Sequence, residues 1–336
     1  MIGINKRFYD YLYNELGAYY QIAPSAVEDN LNNNTEENLK YLGTYFPRSF
    51  TEAYYIYKDL FENKEILERY KKKRIIRILD IGSGIGGSLF GLIQVIMEKF
   101  EGKKVEIVSI EGNRNAVNLQ VKILKNLSNL INGSNKIIGR AYIHTVLDKN
   151  DLSVQLNYLK LQNSIDIMQS FKVVNEFYRK DYEKNKGMYV ELLRLGDNML
   201  KNSGILCIAD VTNKINNGEF ASIIFTEEIR KFMCTEKSNL EYILPKCCAV
   251  NYKKCSKENI CFSKRTFKVH FKNFVNESKI NYKVFIKPHL GIKVKRDIIN
   301  NTYKKCYEKN CYCINSCNKS NCTKILEYPY LLEGVK

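Results

Sequence analysis

The spacing of apolar residues switches repeatedly between two periods along the middle of the chain. Short apolar runs typical of buried strands alternate with stretches in which apolar residues recur at helical spacing. The predicted strands lie at 75–81, 105–110, about 140–147, 164–170 and 205–210. The predicted helices lie at 88–96, 113–131, about 187–201 and 219–234, with Asn202-Ser203-Gly204 as a stop signal after the third. Strands that alternate with helices favour an α/β fold with a mostly parallel sheet.

The two ends of this region have different patterns. Strict alternation of apolar and polar residues over 265–273 and 280–287 predicts an antiparallel hairpin. Before the first strand, apolar residues at helical spacing predict a helical segment. Within that segment, Ser49-Phe-Thr-Glu52 has the pattern of a capping box and predicts a helix start.

The chain is therefore expected to have three parts. An N-terminal helical segment covers 1–74, and the α/β core covers 75–288. The core carries an insertion at 245–264, which contains four cysteines and separates the last helix from the hairpin. A basic, cysteine-rich tail covers 289–336.

A glycine-rich turn follows the first predicted strand and precedes a helix, with the sequence Asp80-Ile-Gly82-Ser83-Gly84-Ile-Gly86-Gly87. Such a turn lets the backbone approach a ligand closely and offers it free N–H groups. Glu111 ends the second predicted strand, where a carboxylate is placed to accept hydrogen bonds from ribose hydroxyls. The two features together predict an adenosine-type cofactor, whereas a turn kept only for packing would not explain both acidic residues.

Two cofactor classes fit the glycines. Gly82-x-Gly84-x-x-Gly87 matches the dinucleotide fingerprint. Gly82-x-Gly84-x-Gly86, preceded by Asp80, resembles the first motif of class I S-adenosylmethionine methyltransferases. A carboxylate at the mouth of the turn would repel a pyrophosphate but attract the ammonium and sulfonium groups of S-adenosylmethionine. We therefore expect S-adenosylmethionine and a Rossmann-like class I methyltransferase fold, with a seven-stranded, mostly parallel sheet closed by an antiparallel edge hairpin.

This resemblance implies a set of cofactor-binding residues. The methionine part of the cofactor would lie against the turn, with Asp80 facing its ammonium group, and Glu111 would hold the ribose. Asp148, after the third strand, could contact the adenine amino group, although an ordinary loop aspartate is an equally good interpretation. The complete set is Asp80, Gly82, Ser83, Gly84, Gly86, Glu111 and Asp148.

Asn175 and Glu176 follow the fourth strand, where methyltransferases place their acceptor-side motif. The two side chains could orient a nucleophile or take its proton, and the alternative is that they cap the next helix. The segment does not match the Asn/Asp-Pro-Pro-aromatic box of enzymes that methylate amino nitrogens. It also lacks the Pro-Cys pair of cytosine C5 enzymes, so no covalent nucleophile is predicted.

Charge is concentrated near the C-terminus. The formal net charge is +17, and residues 245–336 contain 20 Lys and Arg against 6 Asp and Glu. Such an asymmetry favours a nucleic-acid partner, whereas a solvated basic face produced by Lys-rich coding is the alternative. No apolar stretch approaches the roughly 18 residues of a membrane span. We expect no membrane association and a cytoplasmic location, or the mitochondrial matrix in a eukaryote.

Nine of the 11 cysteines also lie after residue 245. In a reducing compartment, clustered thiols more often hold a metal than form disulfides. Four thiolates suit either Zn²⁺ or an iron–sulfur cluster, although the tight C-x2-C spacing of a zinc ribbon is missing. Unliganded thiols are the alternative. The candidate ligands are Cys247, Cys248, Cys255, Cys261, Cys311, Cys313, Cys317 and Cys322.

Four passages resemble the methyltransferase-like proteins of the small ribosomal subunit, which are mitochondrial assembly factors and their bacterial relatives. The passages are Tyr45–Tyr54, Leu79–Gly84, Val174–Phe177 and the cysteine stretch Pro245–Ser263. The likeness covers about 45–290, and the cysteine stretch is its specific part. In that family, three such cysteines and a later one are thought to hold an iron–sulfur cluster. By resemblance, the first three ligands here would be Cys248, Cys255 and Cys261, although the family's Cys-Pro-His start is missing.

The resemblance implies a methyltransferase that acts on ribosomal RNA and carries a cysteine-bound metal. A non-catalytic assembly factor of the small subunit with the same fold is one alternative. A small-molecule methyltransferase with a basic tail is another. The sequence leaves open the acceptor atom, the choice between zinc and iron–sulfur, and the oligomeric state.

Overall fold

A computed structural model of the chain describes residues 6–21, 30–131, 134–215, 218–245, 264–271, 274–288, 304–306, 311–313 and 325–326. It has the predicted Rossmann-like α/β class, with a mostly parallel sheet and antiparallel edge strands. In the described residues this sheet has nine strands, two more than the seven predicted. The chain divides into two compact units. The first includes Met1–Thr145 and Phe267–Ser278, and the second includes Val146–Thr266 and Lys279–Ile325.

The first unit begins with helices, as predicted. A π-helix at Tyr11–Glu15 follows α1, and a 3-10 helix at Asn30–Asn32 precedes α2. The α-helices are α1 (Lys6–Asp10), α2 (Thr35–Thr44), α3 (Phe46–Phe61) and α4 (Lys64–Lys71).

The capping box predicted at Ser49–Glu52 is wrong. Helix α3 already begins at Phe46, with Pro47 in its first turn, so the motif lies inside the helix. A capping box does occur one helix earlier, where the Asn34 side chain accepts the Glu37 N–H and the Glu37 side chain accepts the Asn34 N–H.

Three parallel strands follow in the first unit, with helices between them. In chain order the elements are β1 (Ile75–Ile81), α5 (Gly87–Lys99), β2 (Lys104–Glu111), α6 (Arg114–Leu130) and β3 (Lys136–Ile143). Strand β2 pairs in parallel with both β1 and β3.

Strand β3 begins and ends about four residues earlier than predicted. The reason is that β2 ends at Glu111, whose carbonyl accepts the His144 N–H, so the chain beyond has no strand left to pair with.

Helix α5 packs against α3 through glycines. A Cβ atom at Gly87 would lie 2.9 Å from the Phe46 carbonyl oxygen, and one at Gly91 would overlap the Phe50 carbonyl oxygen. Larger residues would therefore push the helices apart. The Phe46 ring of α3 also contacts the Phe90 ring of α5, with the ring centroids 5.8 Å apart. Helix α3 is thus held beside the turn from which α5 starts.

The second unit contains parallel and antiparallel strands. Its first elements are α7 (Lys149–Tyr158), β4 (Ile165–Phe171), α8 (Val174–Lys180), α9 (Tyr182–Asn185), α10 (Met188–Met199) and β5 (Leu200–Val211). They are followed by α11 (Ala221–Thr235) and β6 (Glu241–Leu244). Every residue of β4 is buried, as is typical of a parallel strand covered on both faces. Strand β5 pairs in parallel with β4.

The last strands are β7 (Lys264–Phe271), β8 (Phe274–Ile286), β9 (Lys304–Cys306), β10 (Cys311–Cys313) and β11 (Ile325–Leu326). Strand β8 runs antiparallel to both β5 and β6. Strands β7 and β8 are neighbours joined only by residues 272–273, so they form the predicted hairpin.

The predicted helix stop at 202–204 is wrong. Helix α10 ends at Met199 and β5 begins at Leu200. Ser203 has a φ of 66°, and the pairing of β4 with β5 shifts register nearby. The residues that suggested a stop form an irregular strand start.

Helices α7, α8 and α9 and strands β6, β9, β10 and β11 were not predicted. Among the helices of the described residues, none has both the length and the apolar content needed to cross a membrane. Of the predicted cysteine insertion, residues 246–263 lie outside the described part of the chain.

Candidate functional site

The glycine turn has the backbone that its sequence requires. Gly82, Gly84 and Gly86 have φ values of 64°, 54° and 95°, which lie in the left-handed region that favours glycine. The N–H groups of Gly82 and Ser83 donate to the carbonyl oxygen of Ile110 at 2.9 and 3.1 Å. These bonds attach the turn to the carboxyl end of β2, which is where Glu111 lies.

Two of the glycines are required for different reasons. A Cβ atom at Gly84 would meet nothing within 4 Å, so the backbone there faces open space that a ligand could fill. A Cβ atom at Gly86 would lie 2.7 Å from a ring carbon of Phe90 and 3.2 Å from the Gln120 side chain. Gly86 is thus explained by packing at the start of α5, and its predicted contact with a cofactor stays a prediction.

Glu111 connects the turn to the end of β2. Its Oε2 accepts the Gly84 N–H at 2.7 Å, and its Oε1 accepts the Asn113 N–H at 2.9 Å. Burial raises the pKa of Glu111, and the hydrogen bonds from Asn113 and Gly84 oppose that shift. A backbone N–H of Gly112 also contributes, and a carboxylate has about four acceptor sites, so Glu111 can still accept a ribose hydroxyl.

The turn also carries buried polar groups. Asp80 is completely buried near the end of β1, and Ser83 is 5% exposed. Within the described part of the chain, the Ser83 hydroxyl has no hydrogen-bond partner. Buried carboxylates and hydroxyls are stabilised by charged or hydrogen-bonding ligands. These two groups therefore fit the zwitterionic methionine part of S-adenosylmethionine. The Asp80 carboxylate can bind its ammonium group, and the Ser83 hydroxyl can form a hydrogen bond with another of its polar groups.

Asp148 has a structural role in the second unit. Its Oδ1 accepts the N–H groups of Asn150 and Asp151 at the start of α7, and its Oδ2 forms an ion pair with Lys184 at 2.9 Å. The hydrogen bond from Lys184 lowers the pKa of Asp148, as do the backbone N–H groups. These contacts explain an aspartate at this position, and the predicted contact with adenine stays a prediction.

Asn175 lies at a buried polar cluster after β4. Its Nδ2 donates to Asp210 Oδ1 at 2.6 Å and to the Lys172 carbonyl oxygen at 2.7 Å. Its backbone N–H donates to Asp210 Oδ2 at 3.0 Å. Both hydrogens of the amide are thus used within the protein, which leaves Oδ1 as the group that can accept a hydrogen bond from a ligand.

Asp210 is the penultimate residue of β5, and sequence analysis did not select it. It is buried and also accepts the Val211 N–H at 2.7 Å and the Tyr189 hydroxyl at 2.9 Å. Burial raises the pKa of Asp210, and the hydrogen bonds from Val211, Tyr189 and Asn175 oppose that shift. The only sequence signal was an acidic residue at the end of an apolar run, the same signal that identified Glu111.

A second carboxylate supports this cluster. Glu228 of α11 accepts the Tyr178 hydroxyl at 2.7 Å, the Gly187 N–H at 2.8 Å and the Tyr189 N–H at 3.2 Å. Burial raises the pKa of both Glu228 and Tyr178. The bonds join α8, α10 and α11, and they place the Tyr189 side chain where its hydroxyl reaches Asp210.

The backbone of the turn after β4 is strained. Lys172 has a φ of 62°, a left-handed conformation that costs free energy for a residue with a side chain. The Lys172 N–H donates to the Ala209 carbonyl oxygen at 2.7 Å, and its carbonyl accepts from Asn175.

Glu176, by contrast, is exposed in the first turn of α8, where a carboxylate is favoured by the helix dipole. The structure thus brings Asn175 to Asp210 and leaves Glu176 outside the cluster.

The predicted metal ligands fall mostly outside the described residues. These are Cys247, Cys248, Cys255, Cys261, Cys317 and Cys322. Cys311 and Cys313 lie in β10, which pairs with β9 so that Cys311 is opposite Cys306. Within the described ranges, no group of three or more His, Cys, Asp or Glu residues is arranged to hold a metal ion.

No protein-family model and no curated protein sequence matches the chain. Solved structures do resemble it. A candidate RNA methyltransferase from Pyrococcus horikoshii is 12% identical, with 87% of this chain and 100% of that chain covered and a TM-score of 0.38. Fibrillarin in complex with Nop5p is 11% identical over 66% of this chain and 79% of that chain, with a TM-score of 0.34. An arsenic(III) S-adenosylmethionine methyltransferase from Chlamydomonas reinhardtii is 11% identical over 64% of each chain, with a TM-score of 0.29. Because the identities are low and the TM-scores are below 0.5, the site is interpreted from its own geometry.

Proposed function

We propose that the protein is an S-adenosylmethionine-dependent methyltransferase. The observation that carries this proposal is the turn whose Gly84 faces open space while its N–H bonds to Glu111 at the end of the neighbouring strand. When bound, S-adenosylmethionine supplies an electrophilic methyl group on its sulfonium. Asp80 would bind the ammonium group, Ser83 would hydrogen-bond the methionine part, and Glu111 would accept the ribose hydroxyls. Calorimetric titration with S-adenosylhomocysteine tests this directly, and absence of binding would contradict it.

On the acceptor side, Asn175 is the residue that we propose to contact the nucleophile. Its Oδ1 would accept a hydrogen bond from an N–H or O–H group of the acceptor and so orient that group's lone pair. Asp210 acts through Asn175, since it fixes both the backbone N–H and the side-chain amide of that residue. Glu176 is exposed and would take part only as a proton acceptor from solvent-facing groups.

RNA, and ribosomal RNA in particular, is the proposed acceptor class. The support is the concentration of Lys and Arg in residues 245–336. A non-catalytic factor that binds the small ribosomal subunit would use the same basic residues, but it would not transfer a methyl group from labelled S-adenosylmethionine to RNA. A small-molecule methyltransferase would transfer the methyl group without binding RNA.

Truncation after Pro288 is expected to weaken RNA binding and to flatten its dependence on salt. Lys and Arg that neutralise phosphates release counterions, so each lost contact reduces the slope of log affinity against log salt by about 0.7 to 0.9. Fluorescence anisotropy with ribosomal RNA fragments at several salt concentrations measures both effects. A truncated protein that binds RNA with the full-length slope would show that the tail is not the electrostatic contact. If neither protein binds RNA, the small-molecule alternative is favoured.

A cysteine-bound metal, either an iron–sulfur cluster or zinc, is the second part of this proposal. Its support is the density of cysteines in residues 245–322 and the family resemblance of the segment 245–264. That segment has little apolar content, so metal binding would supply free energy for its folding.

Replacement of Cys255 and Cys261 by serine is expected to remove the metal and to lower the unfolding temperature together. Metal analysis and absorbance of anaerobically purified protein identify the element, and thermal unfolding measures the stability. Cys234→Ser is the matched control, because Cys234 is an exposed free cysteine of α11 and should change neither quantity. A metal-free wild-type protein of full stability would contradict the assignment.

A further inference from the structure

Arg48 of α3 carries a charge for which the described residues provide no anionic partner. Its guanidinium lies 5.3 Å from the centre of the Tyr45 ring, a contact that holds the group in place without neutralising it. Its Nε is buried and, within the described part of the chain, makes no hydrogen bond. A buried donor without an acceptor costs free energy, so this side chain is suited to a ligand that brings an anion.

The helical turn that carries Arg48 touches the glycine turn. A Cβ atom at Gly87 would lie 2.9 Å from the Phe46 carbonyl oxygen and 3.0 Å from the Ser49 Cβ atom. Arg48 lies between these two residues in sequence, so its backbone is within one helical turn of the start of α5. All of these residues belong to the first compact unit.

The side of α3 that carries Arg48 is distinct from the side that packs on α5. Phe46 and Phe50 contact Phe90 or the backbone of α5, whereas Glu52 lies one turn beyond Arg48 on the same flank. The Glu52 carboxylate is buried and accepts a hydrogen bond from the Ser278 hydroxyl of β8. Only one oxygen of the Glu52 carboxylate is used in this bond, and within the described residues Arg48 forms no ion pair with Glu52. Arg48 therefore remains available for a ligand at the glycine turn.

We propose that Arg48 binds the carboxylate at the amino-acid end of S-adenosylmethionine. This inference rests on the proposed function. The amino-acid end of that cofactor is a zwitterion, and Asp80 accounts only for its ammonium group. A guanidinium binds a carboxylate through two parallel hydrogen bonds, and Arg48 is the cation that α3 holds beside the turn. A phosphate of a bound nucleic acid would have the same chemistry, so the experiment must separate the two sources.

The test compares S-adenosylmethionine with its decarboxylated form, which keeps the ammonium and the sulfonium but lacks the carboxylate. Calorimetry of the full-length wild-type protein is expected to show about 10- to 100-fold tighter binding of S-adenosylmethionine, the range for a hydrogen bond between charged groups. Arg48→Ala should lose this preference by binding S-adenosylmethionine more weakly while binding the decarboxylated form as the wild type does. Arg48→Lys should restore part of the preference, because it keeps the charge without the paired geometry.

Lys58→Ala is the matched control. Lys58 is also a cation of α3 near an aromatic ring, 5.6 Å from the centre of the Tyr54 ring, but it lies almost three turns further along the helix. This variant should bind both ligands as the wild type does.

Three results would overturn the inference. In the first, Arg48→Ala is indistinguishable from the wild type with both ligands. In the second, it weakens the binding of both ligands equally, which would indicate a structural role. In the third, it loses affinity only for RNA, which would assign the residue to a phosphate. A wild-type protein that binds neither ligand overturns the proposed function itself, a result distinct from these three.

Discussion

Replacement of Gly84 by valine is expected to abolish measurable binding of S-adenosylmethionine while the protein stays folded. The open space in front of Gly84 is where the ligand would approach the backbone, and a valine side chain would occupy it. The φ of 54° adds strain of about 1 to 2 kcal/mol for any residue with a Cβ atom. Asp80→Ala should have a similar effect on binding, because it removes the carboxylate proposed to face the ammonium group.

Gly102→Val is the control that separates the effect of backbone strain from the effect of filling the space in front of Gly84. Gly102 has a φ of 65°, and a Cβ atom there would also meet nothing within 4 Å. It precedes β2, so it lies at the amino ends of the parallel strands, opposite the glycine turn. Thermal unfolding should show comparable destabilisation in the two valine variants, and calorimetry should show loss of binding only for Gly84→Val. Unchanged affinity in both Gly84→Val and Asp80→Ala would contradict the methyltransferase proposal.

The glycine turn and the acidic end of β2 could be predicted because their signals are local. Strand β1 has the predicted bounds, and the turn from Asp80 to Gly87 follows it directly. Glu111 was placed correctly because the end of an apolar run marks the end of a buried strand. Each of these features depends on residues close together in sequence, where hydrophobic period and glycine content are informative.

The predicted element boundaries were wrong where contacts with other strands or helices determine where an element begins or ends. Strand β3 ends where β2 ends, which its own residues do not indicate. Asn202-Ser203-Gly204 has the composition of a helix stop, yet these residues belong to β5, which pairs with β4. The Ser49–Glu52 pattern was overridden because Phe46 and Pro47 extend the helix by a turn, with Phe46 packed against α5.

The polar cluster around Asn175 could not be predicted in full because its contacts are distant in sequence. Asn175 was selected from its position after β4, but its partner Asp210 lies 35 residues away. Tyr189 and Glu228 come from two further helices. Which acidic residues become buried, and which donors reach them, follows from how the helices pack. A single sequence does not contain that information.

Asp210→Ala is expected to destabilise the protein by about 3 to 5 kcal/mol, because each buried donor left without an acceptor costs about 1 to 3 kcal/mol. Four donors would lose their acceptor: the Val211 N–H, the Tyr189 hydroxyl, and the backbone and side-chain N–H groups of Asn175. Because they are buried, water cannot readily replace the carboxylate. Denaturant unfolding measures the free energy of unfolding of each variant.

Asp197→Ala is the control that isolates burial from the number of hydrogen bonds. Asp197 accepts three hydrogen bonds, from the Ser238 hydroxyl and from the backbone and side chain of Asn239, but it is partly exposed. Its donors can turn to water, so the expected cost is about 1 kcal/mol. A double-mutant cycle of Asp210→Ala with Asn175→Ala should be strongly non-additive, because the two residues share two hydrogen bonds. Additive effects, or an Asp210→Ala cost no larger than that of Asp197→Ala, would show that the cluster does not hold Asn175. The orientation of the Asn175 amide, and with it the proposed contact to the acceptor, would then lose its structural basis.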